Sequence, residues 1–177
     1  MQVDRVRRLA GPLYIATIVV MAFVVLGTIA GLILTFPTAE TWQQKFPAFA
    51  VTPDIPNHLI WLSMLAGLLS LAVWVWTLDQ MRRLFGCYKK GAVLTDQSAG
   101  FIQRIGVGFV GVALIEMILI PVQSVILTWA NPAGERAISV GLNSDMLGFL
   151  IAAGLMTVIG WAMREAASAA AENKAFV

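Results

Sequence analysis

Four stretches of the sequence are each long and apolar enough to cross a lipid bilayer. They cover residues 12–36, 59–78, 105–130 and 146–163, and each is close to the roughly 20 apolar residues that a helix needs to span the hydrocarbon core. Hydrophobic residues make up 59% of the chain and charged residues 12%, which excludes a water-soluble domain. The sequence therefore predicts an all-α integral membrane protein, one membrane domain over residues 1–177 built as a four-transmembrane-helix bundle.

The positively charged residues indicate how these spans are oriented. Ten of the twelve lysines and arginines lie before the first span, in the insert 79–104 or in the tail 164–177, and the loops 37–58 and 131–145 hold only Lys45 and Arg136. Short basic loops resist translocation, so we expect both termini and the insert in the cytoplasm and the two other loops outside. The first span is too long for a signal-peptide core, so we expect it to stay as an anchor.

The insert between the second and third spans is the longest polar stretch. We expect the second helix to continue past the membrane until Gly86 and then the turn-like "KKG" stop it. An extended piece "AVLT" is expected to follow, and Thr95 to cap a new helix that Asp96 begins. One interpretation is a connector whose charges anchor it to lipid. The other is a docking surface for a cytoplasmic partner, formed by Tyr88, Lys89, Lys90, Gly91, Thr95 and Arg104.

The insert "LFGCYKKGAVLTDQSAGFIQRIG" and the tail "REAASAAAENKAFV" resemble a bacterial membrane family catalogued as domain of unknown function 2975. Its members are about this long and have four spans, so the resemblance covers nearly the whole chain. Two places depart from the family pattern, Val93-Leu94 before Thr95 and the residues 174–176. The resemblance implies no activity. It implies a bacterial inner-membrane location and, because such proteins are often encoded beside a helix-turn-helix transcription regulator, a regulator of that kind as partner.

Glu116 is the one charged residue inside the four spans. A carboxylate in the bilayer core costs about 2.5–3.5 kcal/mol unless it is neutral or paired, so it needs a partner. Ser70 lies at a comparable depth, and Pro121 is expected to kink the same helix and free a carbonyl group. Two interpretations remain: a protonated Glu116 that joins helices by a hydrogen bond, or a proton-linked or ligand-sensing carboxylate in a small cavity.

The loops expected outside contain aromatic residues and two segments with strand character. Trp42, Phe46 and Phe49 are expected at the level of the lipid headgroups. The segments "FAVT" and "RAISVGL" are expected to pair as a small two-stranded extracytoplasmic cap. His58, the single histidine, lies at the outer mouth of the second span, where it either packs at the interface or senses pH.

Gly27 and Gly31 form a G-x-x-x-G motif in the first span. This spacing lets neighbouring helices approach closely. We expect the pair to pack within the chain, with a homo-oligomer through the same glycines as the alternative.

Motifs for other functions are missing from the sequence. No metalloprotease, serine-nucleophile or phosphate-loop motif is present, so an enzyme is not expected. One histidine and one cysteine do not make a metal site, no cofactor is predicted, and the dispersed basic residues do not predict direct nucleic-acid binding. The lipid bilayer is the expected surrounding. Two functions remain: a membrane sensor that holds a cytoplasmic regulator, or a small proton-linked transporter or channel subunit that uses Glu116.

Overall fold

The computed structural model describes residues 2–34, 37–141 and 144–175. It contains five helices in these ranges: α1 (Gln2–Leu34), α2 (Ala39–Lys45), α3 (Asn57–Lys89), α4 (Asp96–Thr128) and α5 (Ser144–Ala175). Residues 1, 35–36, 142–143 and 176–177, which belong to the predicted first span, outer loop and termini, lie outside the described residues.

The four long helices are each long and apolar enough to cross a membrane, which confirms the prediction of a multi-pass helical membrane protein. They pack in the order α1, α3, α4, α5, each against the next. Helices α3 and α5 also meet where the ring of Trp74 contacts that of Phe149. We call the end of the bundle where α3 stops and α4 begins the basic end, and the opposite end the cap end.

The turn at the basic end is short, and it joins the C-terminal end of α3 to the capped start of α4. Helix α3 continues through Gly86 to Lys89, where Gly91 adopts a φ of 81°. The helix does not stop at Gly86, which lies inside it at a cost of about 1 kcal/mol and in contact with the Tyr14 ring, but it does end at the expected "KKG" turn. Thr95 caps α4 as predicted, in a reciprocal capping box with Ser98.

The cap end holds a helix and irregular loops, and the described residues there form no strand. The expected two-stranded cap is thus not formed by the described part of "FAVT" and "RAISVGL". Asn131 joins the two loops instead: its amide oxygen accepts from Thr52 N at 3.2 Å, and its amide nitrogen donates to the carbonyls of Ala50 at 2.8 Å and Glu135 at 3.2 Å. A single buried side chain satisfies backbone groups that a ladder would otherwise pair.

The aromatic residues of the first cap loop pack on protein. Trp42 and Phe49 are 7% and 6% exposed, so these two are buried against the protein, and the expected headgroup level stays a prediction. They are buried because the outer turns of α3 and α4 offer them an apolar surface. The cap cluster consists of Trp42, Phe49, Val51, Ile55, Leu59, Ile60 and Leu127.

Close helix packing uses other glycines than the predicted pair. A Cβ at Gly27 or Gly31 would meet nothing within 4 Å in the described structure, so packing of these two within the chain is not observed. Instead, a Cβ at Gly108 would overlap the side chain of Thr77, and one at Gly106 would stand 3.1 Å from the carbonyl oxygen of Ala153. The glycines of α4 therefore set its distance to α3 and α5.

Candidate functional site

Glu116 and Ser70 face each other across the α3–α4 interface. Ser70 Oγ donates to Glu116 Oε1 at 2.5 Å, so the structure brings together the pair that depth in the membrane predicts. The contact belongs to a polar column along this interface. Two turns further toward the cap, Gln123 Nε2 donates to the carbonyl oxygen of Ser63 at 3.2 Å. The hydroxyl of Ser63 is buried and has no hydrogen-bond partner among the described residues.

This column follows a seven-residue spacing that is present in the sequence and that the predictions above do not use. Ser63, Ser70 and Thr77 recur every seventh residue on α3, while Glu116 and Gln123 recur on α4. Seven residues are nearly two helical turns, so such residues share one face. A hydroxyl repeat in an apolar helix is the signal that locates this interface.

Glu116 lines a cavity of about 280 Å³ between α3, α4 and the first turn of α5. Asp145 lines the same cavity, together with the aromatic rings of Trp74 and Phe149, whose centroids are 5.2 Å apart. The sequence places Asp145 in an outer loop and does not identify it as a site residue, because nothing in the sequence fixes the level at which α5 begins. Two carboxyl groups beside aromatic rings suit a proton or a cation with an apolar part.

The position of Asp145 also locates the cavity along the bundle. Since the first turn of α5 lies beside Glu116, residues 117–128 of α4 extend past α5 by about 18 Å at 1.5 Å per residue. The cavity is therefore near the cap-end limit of the four-helix part of the molecule. Glu116 itself is half-buried and Asp145 is exposed.

Toward the basic end the cavity is closed by apolar packing. Val112 is fully buried, Gly108 is pressed against Thr77, and the ring of Phe109 stacks on that of Phe149 with centroids 5.9 Å apart. The nearby hydroxyls of Thr77 and Thr157 donate to carbonyls of their own helices, at 2.8 Å in each case. Both hydroxyls beside this packing are therefore engaged within their own helices, and the next buried polar side chain of α3 toward the basic end is Gln80.

Pro121 and His58 do not join this site. Helix α4 runs unbroken through Pro121, whose carbonyl accepts from Ser124 Oγ at 2.8 Å, and Pro121 does not line the cavity. His58 is exposed in the first turn of α3, about 18 Å along the helix axis from Ser70. Among the described residues, no group of three His, Cys, Asp or Glu side chains is arranged to hold a metal ion.

The proposed partner surface is spread around the turn at the basic end. Lys89, Lys90, Gly91 and Arg104 are exposed, whereas Tyr88 and Thr95 are half-buried. Burial of the Tyr88 ring fits its contact with the apolar cluster formed by Leu84, Phe101, Ile102 and Ile105. The six residues thus lie around the rim of the turn, four of them exposed and two half-buried.

A groove beside this turn was not predicted. It has a volume of about 570 Å³ and lies between the residues that begin α4 and the last turns of α5. Arg164 holds its two sides together: Nη2 donates to Gln103 Oε1 at 2.8 Å, and Nε lies 3.7 Å from Asp96 Oδ1. We call it the tail groove; it is lined by Leu94, Thr95, Asp96, Arg164, Ala167, Ser168 and Ala171.

Comparison with known proteins adds no relative to this description. No family model, no curated protein and no solved structure matches the chain. The resemblance of residues 84–106 and 164–177 to the family catalogued as domain of unknown function 2975 therefore stays a prediction.

Proposed function

We propose that this is a small integral membrane protein of regulatory type. It senses a ligand or an envelope condition at the Glu116 cavity and holds a helix-turn-helix transcription regulator at its basic end. In this proposal it lies in the bacterial cytoplasmic membrane, with the basic end and both termini in the cytoplasm, as the distribution of lysine and arginine favours. The kind of partner follows from the family resemblance of the insert and tail.

One observation carries this proposal: α4 connects both ends without a break. It begins at the Thr95 cap, bears Glu116 about 30 Å further along its axis, and packs against both α3 and α5. Interhelical packing through glycines is too close to deform gradually, so a change at Glu116 would move α4 as a body. Such a movement would alter the tail groove, one wall of which is the start of α4.

The tail groove is the docking surface that we assign to the regulator. Leu94 is 54% exposed at its edge, and Ala167 and Ala171 form a small-residue floor on α5. An apolar helix face of a partner fits a groove with such a floor, because small side chains permit close approach. The rim residues Lys89, Lys90 and Arg104 would add attraction for an acidic partner.

The alternative function is a proton-linked transporter or channel subunit that uses Glu116. The pair Glu116 and Asp145 in an aromatic cavity favours it, since intramembrane carboxylates often mark ion pathways. The close packing of Val112 and of Gly108 on Thr77 opposes it, because this packing closes the cavity toward the basic end and the Thr77 hydroxyl there already donates within its own helix. A sensor needs its cavity to be accessible from one side of the membrane alone, so we prefer the sensor function.

A charge placed in the tail groove tests the docking surface. Ala171→Glu puts a carboxylate on the floor of the groove, while Ala169→Glu makes the same change on the same helix outside the groove. We expect the regulator encoded beside this protein to sediment with membranes when co-expressed with the unmodified chain or the Ala169→Glu variant. With Ala171→Glu we expect it in the soluble fraction, because burying a lone carboxylate in the interface is costly.

Two outcomes would refute the docking surface. One is a regulator that stays soluble beside the unmodified chain. The other is equal release by both variants, provided that each variant is present in the membrane at the unmodified level.

A further inference from the structure

A second cleft at the basic end, on the α1 side of the turn, gathers five positive charges. It has a volume of about 680 Å³, and Arg7, Arg82, Arg83, Lys89 and Lys90 line it. Among the described side chains, Asp79 is the one carboxylate paired with any of them: it binds Arg82 Nη2 and Arg83 Nε, at 2.6 Å each. Within the described part of the chain, one negative charge thus stands against five positive ones. We call it the basic cleft.

An apolar groove meets the basic cleft at Arg82. It has a volume of about 560 Å³ and runs along α1, where Ile18, Met21, Ala22, Val25 and Leu26 recur at helical spacing. Arg82 lines both spaces. From Ile18 to Leu26 the groove extends about 12 Å away from the basic end, along the direction in which the membrane would be crossed.

Tyr14 stands at the junction of the two spaces and orients their charges. Its hydroxyl oxygen accepts from Arg82 Nη1 at 3.5 Å, and Lys89 Nζ lies 5.6 Å from its ring centroid. The ring packs beside Gly86, with its nearest carbon 3.7 Å from where a Cβ would stand. Asp79 and Tyr14 together hold Arg82 in position before any ligand binds, which lowers the ordering cost of binding.

We propose that the basic cleft and the α1 groove form one site for a single anionic phospholipid. The phosphate and its headgroup lie in the basic cleft, and one acyl chain lies along Ile18 to Leu26. Charge complementarity selects an anionic lipid over a zwitterionic one, and the adjoining apolar groove selects a lipid over a free phosphate compound. The site goes beyond the proposed function, since it involves neither the Glu116 cavity nor the tail groove and shares only the rim residues Lys89 and Lys90 with the surface proposed to attract the regulator. It also gives α1, whose described packing is mainly on α3, a lipid that bridges the two helices.

Binding of single lipids to the purified full-length protein in neutral detergent tests this site. Native mass spectrometry would measure the apparent Kd for phosphatidylglycerol, for phosphatidylcholine with the same acyl chains, and for water-soluble glycerol phosphate. We expect phosphatidylglycerol to bind at least ten-fold more tightly than either. Comparable binding of phosphatidylcholine would overturn the charge selection, and comparable binding of glycerol phosphate would show a phosphate site without a lipid role.

Two pairs of variants locate the site. Lys89→Gln removes a charge of the basic cleft, and Arg8→Gln removes one from an exposed neighbour that does not line it. Ala22→Trp fills the groove, and Ala16→Trp adds the same bulk to another exposed face of α1. We expect Lys89→Gln to weaken phosphatidylglycerol binding about five-fold, Ala22→Trp to weaken it at least ten-fold, and both controls to change it less than two-fold.

All four positions are exposed or line open space, so each variant should fold, and the thermal unfolding temperature of each checks this. Equal loss within either pair would overturn the proposed location. Unchanged binding in both Lys89→Gln and Ala22→Trp would overturn it as well.

Discussion

At the scale of single residues, the Glu116–Ser70 contact shows which side chains a sequence can place. An ionisable residue in an apolar span must find a partner, and counting turns from the basic residues of each span identifies Ser70. The same counting cannot find Gly108. Gly108 matters because it has no side chain at the place where α4 meets Thr77 of α3. The register between the two helices decides which glycine lies at such a contact, and the sequence does not show that register. Gly27 and Gly31 have the sequence motif and no neighbour in the described chain.

Replacing Glu116 separates sensing from transport. Glu116→Gln keeps an oxygen that can accept the Ser70 hydrogen bond but removes the titrating group. In the proposed sensor, proteoliposomes loaded with a pH-sensitive dye should show the same proton flux with the unmodified protein, with Glu116→Gln and with no protein. Glu116→Leu should lower the free energy of unfolding by about 0.6–2 kcal/mol, because it leaves Ser70 without its partner.

Ser70→Ala is the matched control for stability, since it removes the same hydrogen bond from the other side. A proton flux that the unmodified protein supports and Glu116→Gln abolishes would favour the transporter alternative.

At the scale of elements, the long helices are predictable and the cap is not. Length and hydropathy define a membrane span almost without reference to the rest of the chain, and Thr95 with Asp96 has the local chemistry of a helix start. The cap depends on contacts between distant segments. Alternating apolar residues in "FAVT" and "RAISVGL" predict strands. In the structure, however, Phe49 and Val51 of the first segment are buried against α2 and the ends of α3 and α4, so they do not need a paired strand to bury them.

The cap therefore depends on Asn131, which is 3% exposed and makes three hydrogen bonds to backbone groups. Asn131→Ala leaves these buried groups unpaired, and we expect the free energy of opening the cap to fall by about 2 kcal/mol. Hydrogen–deuterium exchange should become faster at the amide of Thr52 and in the surrounding loop, with no change in α3 near Ser70.

Asn57→Ala is the control for that change, because Asn57 is exposed at the start of α3. Unaltered exchange at Thr52 in Asn131→Ala would mean that the cap cluster alone orders the loop.

At the scale of the whole molecule, the packing order α1, α3, α4, α5 leaves α1 packed mainly on α3 among the described residues. Hydropathy predicts the number of spans but not which spans touch, because every lipid-facing surface and most helix–helix contacts are equally apolar. The tail groove lies between α4 and α5, and the basic cleft lies mainly between α1 and α3. Neither could be predicted from the sequence, because the sequence does not show which helices are neighbours. The sequence shows the basic residues that line the cleft, but it does not show that they converge.

The orientation that we expect for the whole molecule rests on those same basic residues and can be tested with thiol labelling. In a Cys87→Ala background, we expect Gln44→Cys and Ala133→Cys, both at exposed positions of the cap end, to react with an impermeant maleimide in intact cells. Lys90→Cys, exposed at the basic end, should react only after the membrane is permeabilised. The physical reason is the cost of moving a loop with several lysines and arginines across the membrane, which favours keeping the basic end inside. Lys90→Cys serves better than native Cys87, which is half-buried in the basic cleft and could escape labelling on either side. Reaction of Lys90→Cys in intact cells, with Gln44→Cys and Ala133→Cys protected, would invert the protein and place the tail groove where no transcription regulator could reach it.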